Sequence, residues 1–115
     1  MDIALKNGTG HFVAQRVTAI ALIFLGLWFA ASISALDSLE HVIVLAFIAK
    51  PLNGVLLALL CASLAYHSYL GVQVVIEDYV HAPGLHRASL IISRIAHLVV
   101  ASVALYALLR IGSGA

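Results

Sequence analysis

Three long apolar stretches divide the chain, separated by short groups of polar and charged residues. Val17 to Leu36 is bounded by Arg16 and Asp37, and Leu52 to Ile76 by Lys50–Pro51 and Glu77–Asp78. Leu90 to Ile111 follows a polar connection. The hydrocarbon core of a bilayer is about 30 Å thick and a helix rises about 1.5 Å per residue, so about 20 apolar residues cross it. All three stretches meet that length. Each is expected to be helical, because an unpaired strand in hydrocarbon leaves backbone N–H and C=O groups unsatisfied at several kcal/mol apiece.

The shorter run Val42 to Ala49, stopped by Lys50 and Pro51, is too brief to cross and reads as an interfacial helix between the first two spans. The first span is too long for the apolar region of a secretory signal, about 7 to 15 residues. With no internal repeat, linker or low-complexity tract, residues 1–115 read as a single membrane domain. The predicted fold class is an all-α integral membrane protein with three transmembrane helices.

Composition sharpens this. The chain is 63% hydrophobic and 10% charged, where a soluble domain carries about a quarter charged residues. Six Lys or Arg and five Asp or Glu are too few to form a soluble protein's charged skin, so lipid must be the outer solvent. A formal charge of +1 and the lack of a basic run exclude a nucleic-acid partner. The single cysteine, Cys61, excludes an internal disulfide and a four-thiolate iron–sulfur cluster within the chain; it reads as a small packing residue. Three spans place Lys6, Arg16 and Arg87 on one side and Lys50 and Arg110 on the other. The excess of cations puts the N-terminus in the cytoplasm. Three helices enclose little interior, so a partner subunit is expected to cover the polar groups that would otherwise face lipid.

Within the second span, His67 requires an explanation, because an imidazole in hydrocarbon is costly unless paired, hydrated or bound to a metal. At about 100° per residue, Ser63, Gly71, Val74 and Asp78 fall within about 40° of it and form one stripe. Ser63 and Gly71 are small and leave a shallow recess, which suits a flat macrocycle with imidazole as axial ligand to its iron. The alternative is an interior histidine that is only hydrogen-bonded, with Gly71 permitting close helix packing. The span ends in Glu77, Asp78, Tyr79, Val80 and His81. Ordinary membrane-boundary residues are one reading of that cluster. The other is chemical: the Tyr79 hydroxyl can donate to a quinone carbonyl, and Asp78 can orient a basic group or relay protons. Arg94 and His97 share a face of the third span. They line a partner interface or reach headgroups, unless His97 is a second haem ligand paired with His67.

The run His67-Ser-Tyr-Leu-Gly71-Val-Gln73-Val-Val-Ile-Glu-Asp78-Tyr79-Val-His81 resembles the second helix of the small membrane anchor subunits of succinate dehydrogenase, respiratory complex II. Gly10-His11-Phe12 through Arg16-Val17-Thr18-Ala19-Ile20 is similar to the beginning of that family's first helix, and the three-span plan agrees over nearly the whole length. The third span adds little beyond hydrophobicity.

The resemblance implies a haem-binding helical bundle in which His67 is one axial ligand to a b-type haem shared with a large cytochrome b subunit. It also implies that Tyr79 hydrogen-bonds ubiquinone with Asp78 beside it, and that Arg16 approaches the haem propionates or the quinone pocket. His11 is a weaker propionate contact, since in some members the corresponding histidine stands one residue further from the arginine. A flavoprotein and an iron–sulfur subunit would oxidise succinate in the tricarboxylic acid cycle. This chain would carry electrons onward to ubiquinone without binding succinate, and no catalytic residue is assigned to it. The alternatives are an anchor of a related fumarate reductase and a haem-free structural or assembly subunit. A small transporter would be expected to show broken helices or inverted repeats, and neither is evident. The lack of an Arg- and Ser-rich leader favours a bacterial inner membrane over a mitochondrial precursor.

Overall fold

A computed structural model describes residues 8–114 of the chain as four helices with no strand among them. They are α1 (Thr9–Ser34), α2 (His41–Ala49), α3 (Pro51–Tyr79) and α4 (Pro83–Gly112). Three of these, α1, α3 and α4, are long and apolar enough to cross a membrane. Lys6, one of the cations counted for orientation, lies outside the described residues.

The helices run past the apolar windows that announced them. α1 begins eight residues before Val17, after Gly8 in the left-handed region at φ 101°, and it stops at Ser34, two residues short of Leu36. α3 continues beyond Ile76 to Tyr79, and α4 starts at Pro83, well ahead of Leu90. Hydropathy marks where lipid begins, whereas a helix stops where its hydrogen bonding or chain direction changes. Pro51 and Pro83 each open a helix at the first turn, where a missing N–H costs nothing and the fixed φ suits the helix. The molecule is 50 Å along its longest axis, so the ends of the long helices extend beyond a hydrocarbon core of about 30 Å.

Helix α3 is the central element. It packs against α1, α2 and α4, whereas α1 and α4 make no close approach to each other. Both long neighbours are antiparallel to it: Gln15 and Thr18 of α1 meet Gly71 and His67 respectively, and His97 of α4 meets Ser68. The start of α1, the end of α3 and the start of α4 therefore share one end of the molecule. At the other end α2 tucks under α3 and α4. Its Phe47 is buried and stacks on Trp28 of α1, with ring centroids 6.1 Å apart. The α2–α3 corner is closed by Asn53 Nδ2, which donates to the Phe47 carbonyl at 2.9 Å.

Burial shows what the chain lacks. Among the described residues, the buried apolar side chains are Phe47, Leu57, Leu70 and Ile76, and Ser93 is the buried polar one. Large apolar side chains such as Phe24, Leu27, Leu64, Ile92 and Val100 are exposed. In water such a surface would drive aggregation; in a bilayer it is the expected outer face.

Candidate functional site

His67 lies where α1 crosses α3. Thr18 Oγ1 is 2.9 Å from His67 Nδ1 and also within hydrogen-bond distance of two carbonyls of its own helix, Ala14 at 2.8 Å and Gln15 at 3.1 Å. The other ring nitrogen, Nε2, has no hydrogen-bond partner among the described residues and is not sealed within the chain. The ring is half-buried, gripped on one nitrogen and open on the other.

The surroundings of Gly71 differ from the open recess that the small residues imply. A Cβ built on Gly71 would lie 3.7 Å from Gln15 Nε2, so α1 itself enters the space beside this glycine. His11, Gln15 and Thr18, spaced four and three residues apart, form a polar stripe on one face of α1. That stripe is in register with α3 only because α1 is helical from Thr9 onward. Two of its atoms, His11 Nε2 and Gln15 Oε1, are buried without a hydrogen-bond partner among the described residues, an unusual condition for groups that cost free energy when left unpaired. A propionate approaching His11 from outside would have to meet its other nitrogen or turn the ring. Arg16 lies off this stripe: it is exposed, with its guanidinium 5.1 Å from the centre of the Phe12 ring.

His97 presents the opposite case. Its Nδ1 is 2.8 Å from the Ser93 carbonyl, which can only accept, so that nitrogen carries the proton. Its Nε2 is 3.0 Å from Ser68 Oγ, which donates to it, and Tyr69 meets the ring edge-on at 5.7 Å. Both nitrogens are committed. His97, half-buried in the α3–α4 seam, thus has a hydrogen-bond partner at each ring nitrogen. Two crevices flank this seam, one lined by Cys61, Leu64, Ala65 and Ser68, the other by Ala62, Tyr66, Tyr69 and Arg94.

At the end of α3 the polar cluster divides. Gln73 Nε2 donates to Glu77 Oε2 at 3.3 Å, so Glu77 is held by its own helix. Asp78 is exposed, and Tyr79 is 79% exposed. Because α3 stays helical through Tyr79, Asp78 keeps the same side of the helix as His67, eleven residues and about 16 Å along the axis. His86 Nδ1 donates to the Val80 carbonyl at 2.8 Å and fastens the tight connection to α4. His67, Asp78 and Tyr79 therefore stand on one rigid helix, and the chain alone does not enclose them.

The described residues hold no group of three or more His, Cys, Asp or Glu able to bind a metal ion by themselves. One imidazole with its outer nitrogen free is instead the donor set that suits an iron whose other ligands come from a macrocycle and a second protein. The residues present thus fit an axial haem ligand at His67. Thr18, Gln15, Ser68 and His86 were not singled out by sequence reasoning. The signal available for the first two was the 11–15–18 spacing of polar residues at the start of an apolar helix.

Fold and site together define a small multi-pass membrane subunit, built on one central helix and open along its sides. The description "Succinate dehydrogenase/Fumarate reductase transmembrane subunit" matches residues 3–109. A succinate dehydrogenase hydrophobic membrane anchor subunit of Rickettsia bellii is 34% identical over 86 residues, 75% of this chain and 69% of the relative. The protein of the same description from Paracoccus denitrificans is 32% identical over 109 residues, 95% of this chain and 84% of the relative. The chain belongs to the succinate dehydrogenase/fumarate reductase transmembrane subunit family.

Proposed function

We propose that the chain anchors a succinate:quinone oxidoreductase in the membrane, supplies His67 as one axial ligand to a b-type haem, and borders the ubiquinone site with Tyr79 and Asp78. The observation that carries this reading is the asymmetry of the two intramembrane histidines. His67 is held through Nδ1 and open at Nε2, whereas both nitrogens of His97 are spent. The second ligand would come from a large cytochrome b subunit: among the described residues the other intramembrane histidine, His97, has partners at both ring nitrogens. When bound, the haem supplies a one-electron centre within the bilayer.

The chain's own residues do the rest. The end of α3 presents the Tyr79 hydroxyl where a quinone carbonyl can accept its hydrogen bond. Asp78 beside it is an exposed carboxylate able to hold or relay one of the two protons that quinone reduction consumes. Arg16, at the same end of the molecule, is a cation available to a propionate or to the quinone pocket. Flavoprotein and iron–sulfur subunits oxidise succinate and deliver the electrons, so this subunit takes part in the enzyme without touching succinate. The names of its relatives favour succinate oxidation over fumarate reduction. Arg16 and Arg87 at one end against Lys50 and Arg110 at the other, with Lys6 in the balance, favour an N-terminus in the cytoplasm of a bacterial inner membrane.

The test is the absorption spectrum of the purified complex. Reducible b-type bands are expected in the parent and lost in His67→Leu, but retained in His97→Leu. Bands that vanish with His97 and survive loss of His67 would overturn the assignment.

A further inference from the structure

We infer that Thr18 is the positioning residue for His67: its hydroxyl fixes the Nδ1–H tautomer and the ring orientation that leave Nε2 as the iron-binding nitrogen. This inference rests on the haem reading above and adds to it the group that prepares the ligand.

The hydroxyl has one proton and three neighbours. Two are carbonyls, Ala14 at 2.8 Å and Gln15 at 3.1 Å, and these can only accept. A threonine within a helix commonly returns its proton to the preceding turn in this way. Toward the third neighbour, His67 Nδ1 at 2.9 Å, the oxygen is then left as an acceptor, so the imidazole must donate. A neutral imidazole carries one N–H, and once Nδ1 holds it, the lone pair is at Nε2. Iron-bound histidines are oriented by such an acceptor on the second nitrogen, which also makes the ring a better electron donor.

The location strengthens the argument. Thr18 is on α1 and His67 on α3, so the bond ties the ring to a neighbouring helix. At His97 the Ser93 carbonyl of α4 and the Ser68 hydroxyl of α3 engage the two nitrogens, so neither is left without a partner. The acceptor at His67 leaves Nε2 without a partner among the described residues, whereas at His97 Ser68 occupies it.

The experiment compares the intact detergent-purified complex carrying Thr18→Val, Thr18→Ala or Thr18→Ser with the parent. Val keeps the shape and removes the hydroxyl; Ser keeps the hydroxyl. Haem content, haem midpoint potential and the low-spin ferric EPR signal are read, the last because it responds to the orientation of the axial rings. Val and Ala are expected to weaken haem retention about 10- to 100-fold, shift the potential upward as the ligand loses donor strength, and move the EPR signal. Ser is expected to match the parent. If Val does not assemble, Ala and Ser decide the matter through the same three readouts. Parent-like potential and EPR signal in a hydroxyl-free variant would overturn the role of Thr18 while leaving His67 as the ligand. A parent complex without b-type haem would overturn both.

Discussion

Ser68 Oγ and His97 Nε2 are 3.0 Å apart across the seam between α3 and α4. That bond spends the one nitrogen of His97 that the Ser93 carbonyl leaves free. Loss of either partner is therefore expected to loosen the seam without changing the haem site proposed at His67. Ser68→Ala should cost about 1 kcal/mol, the usual worth of one such hydrogen bond. The check is a lower melting temperature for the assembled complex, with unchanged haem absorption. Loss of the haem bands in Ser68→Ala would show that this seam and the site at His67 are coupled.

The register of α1 against α3 can be tested at Gly71. A methyl group there would sit 3.7 Å from Gln15 Nε2, an ordinary contact, and alanine is the better helix former, so Gly71→Ala should leave stability unchanged or raise it by up to about 1 kcal/mol. Gly71→Leu must displace Gln15 and should cost about 1–3 kcal/mol, as overpacking does. Yield and thermal stability of the purified complex measure both. An Ala variant as impaired as the Leu variant would mean that a group outside this chain presses on Gly71.

Tyr79, 79% exposed at the end of α3, has little to lose within its own subunit. Tyr79→Phe is expected to lower ubiquinone reduction up to about tenfold, the worth of one hydrogen bond to substrate. Succinate oxidation by an artificial soluble acceptor should be unaffected. Equal loss of both activities would identify an assembly defect instead of a quinone contact.

At the opposite end, Trp28 stacks on Phe47 with centroids 6.1 Å apart. Trp28→Leu keeps apolar bulk but removes the ring pair, worth about 0.5–1.5 kcal/mol beyond its area. Reduced thermal stability with normal haem and quinone behaviour is expected, because this contact joins α1 to α2 at the end away from Tyr79. A spectroscopic change at the haem would show that the two ends are coupled.

The helical, membrane-embedded character of the chain is written in its hydropathy, because lipid imposes a simple rule on side chains and allows few backbone solutions. The ends of the helices are less legible. Residues 9–16 and 77–79 are too polar to count as membrane core, yet Thr9, Gln15 and Asp78 are compatible with continuing a helix already under way. The His67–Asp78 face follows from the 3.6-residue period alone. Pairings between helices do not: nothing in a single sequence sets Thr18 opposite His67 or Gln15 opposite Gly71, since those contacts depend on how two helices slide past one another. The two small neighbours of His67 read as a vacant shelf because the sequence cannot show that α1 leans into it. His67 and His97 look alike as letters, and the placement of Thr18 beside the one and of Ser68 and Ser93 beside the other tells them apart.

The absence of contact between α1 and α4 carries a consequence for the cell. With Phe47, Leu57, Leu70, Ile76 and Ser93 alone buried among the described residues, newly made copies have scarcely any interior there to hold them together. Whatever binds only the folded form then sets how much of it survives. Abundance should follow the supply of companions more closely than the rate of synthesis, and surplus copies should be short-lived targets for proteolysis.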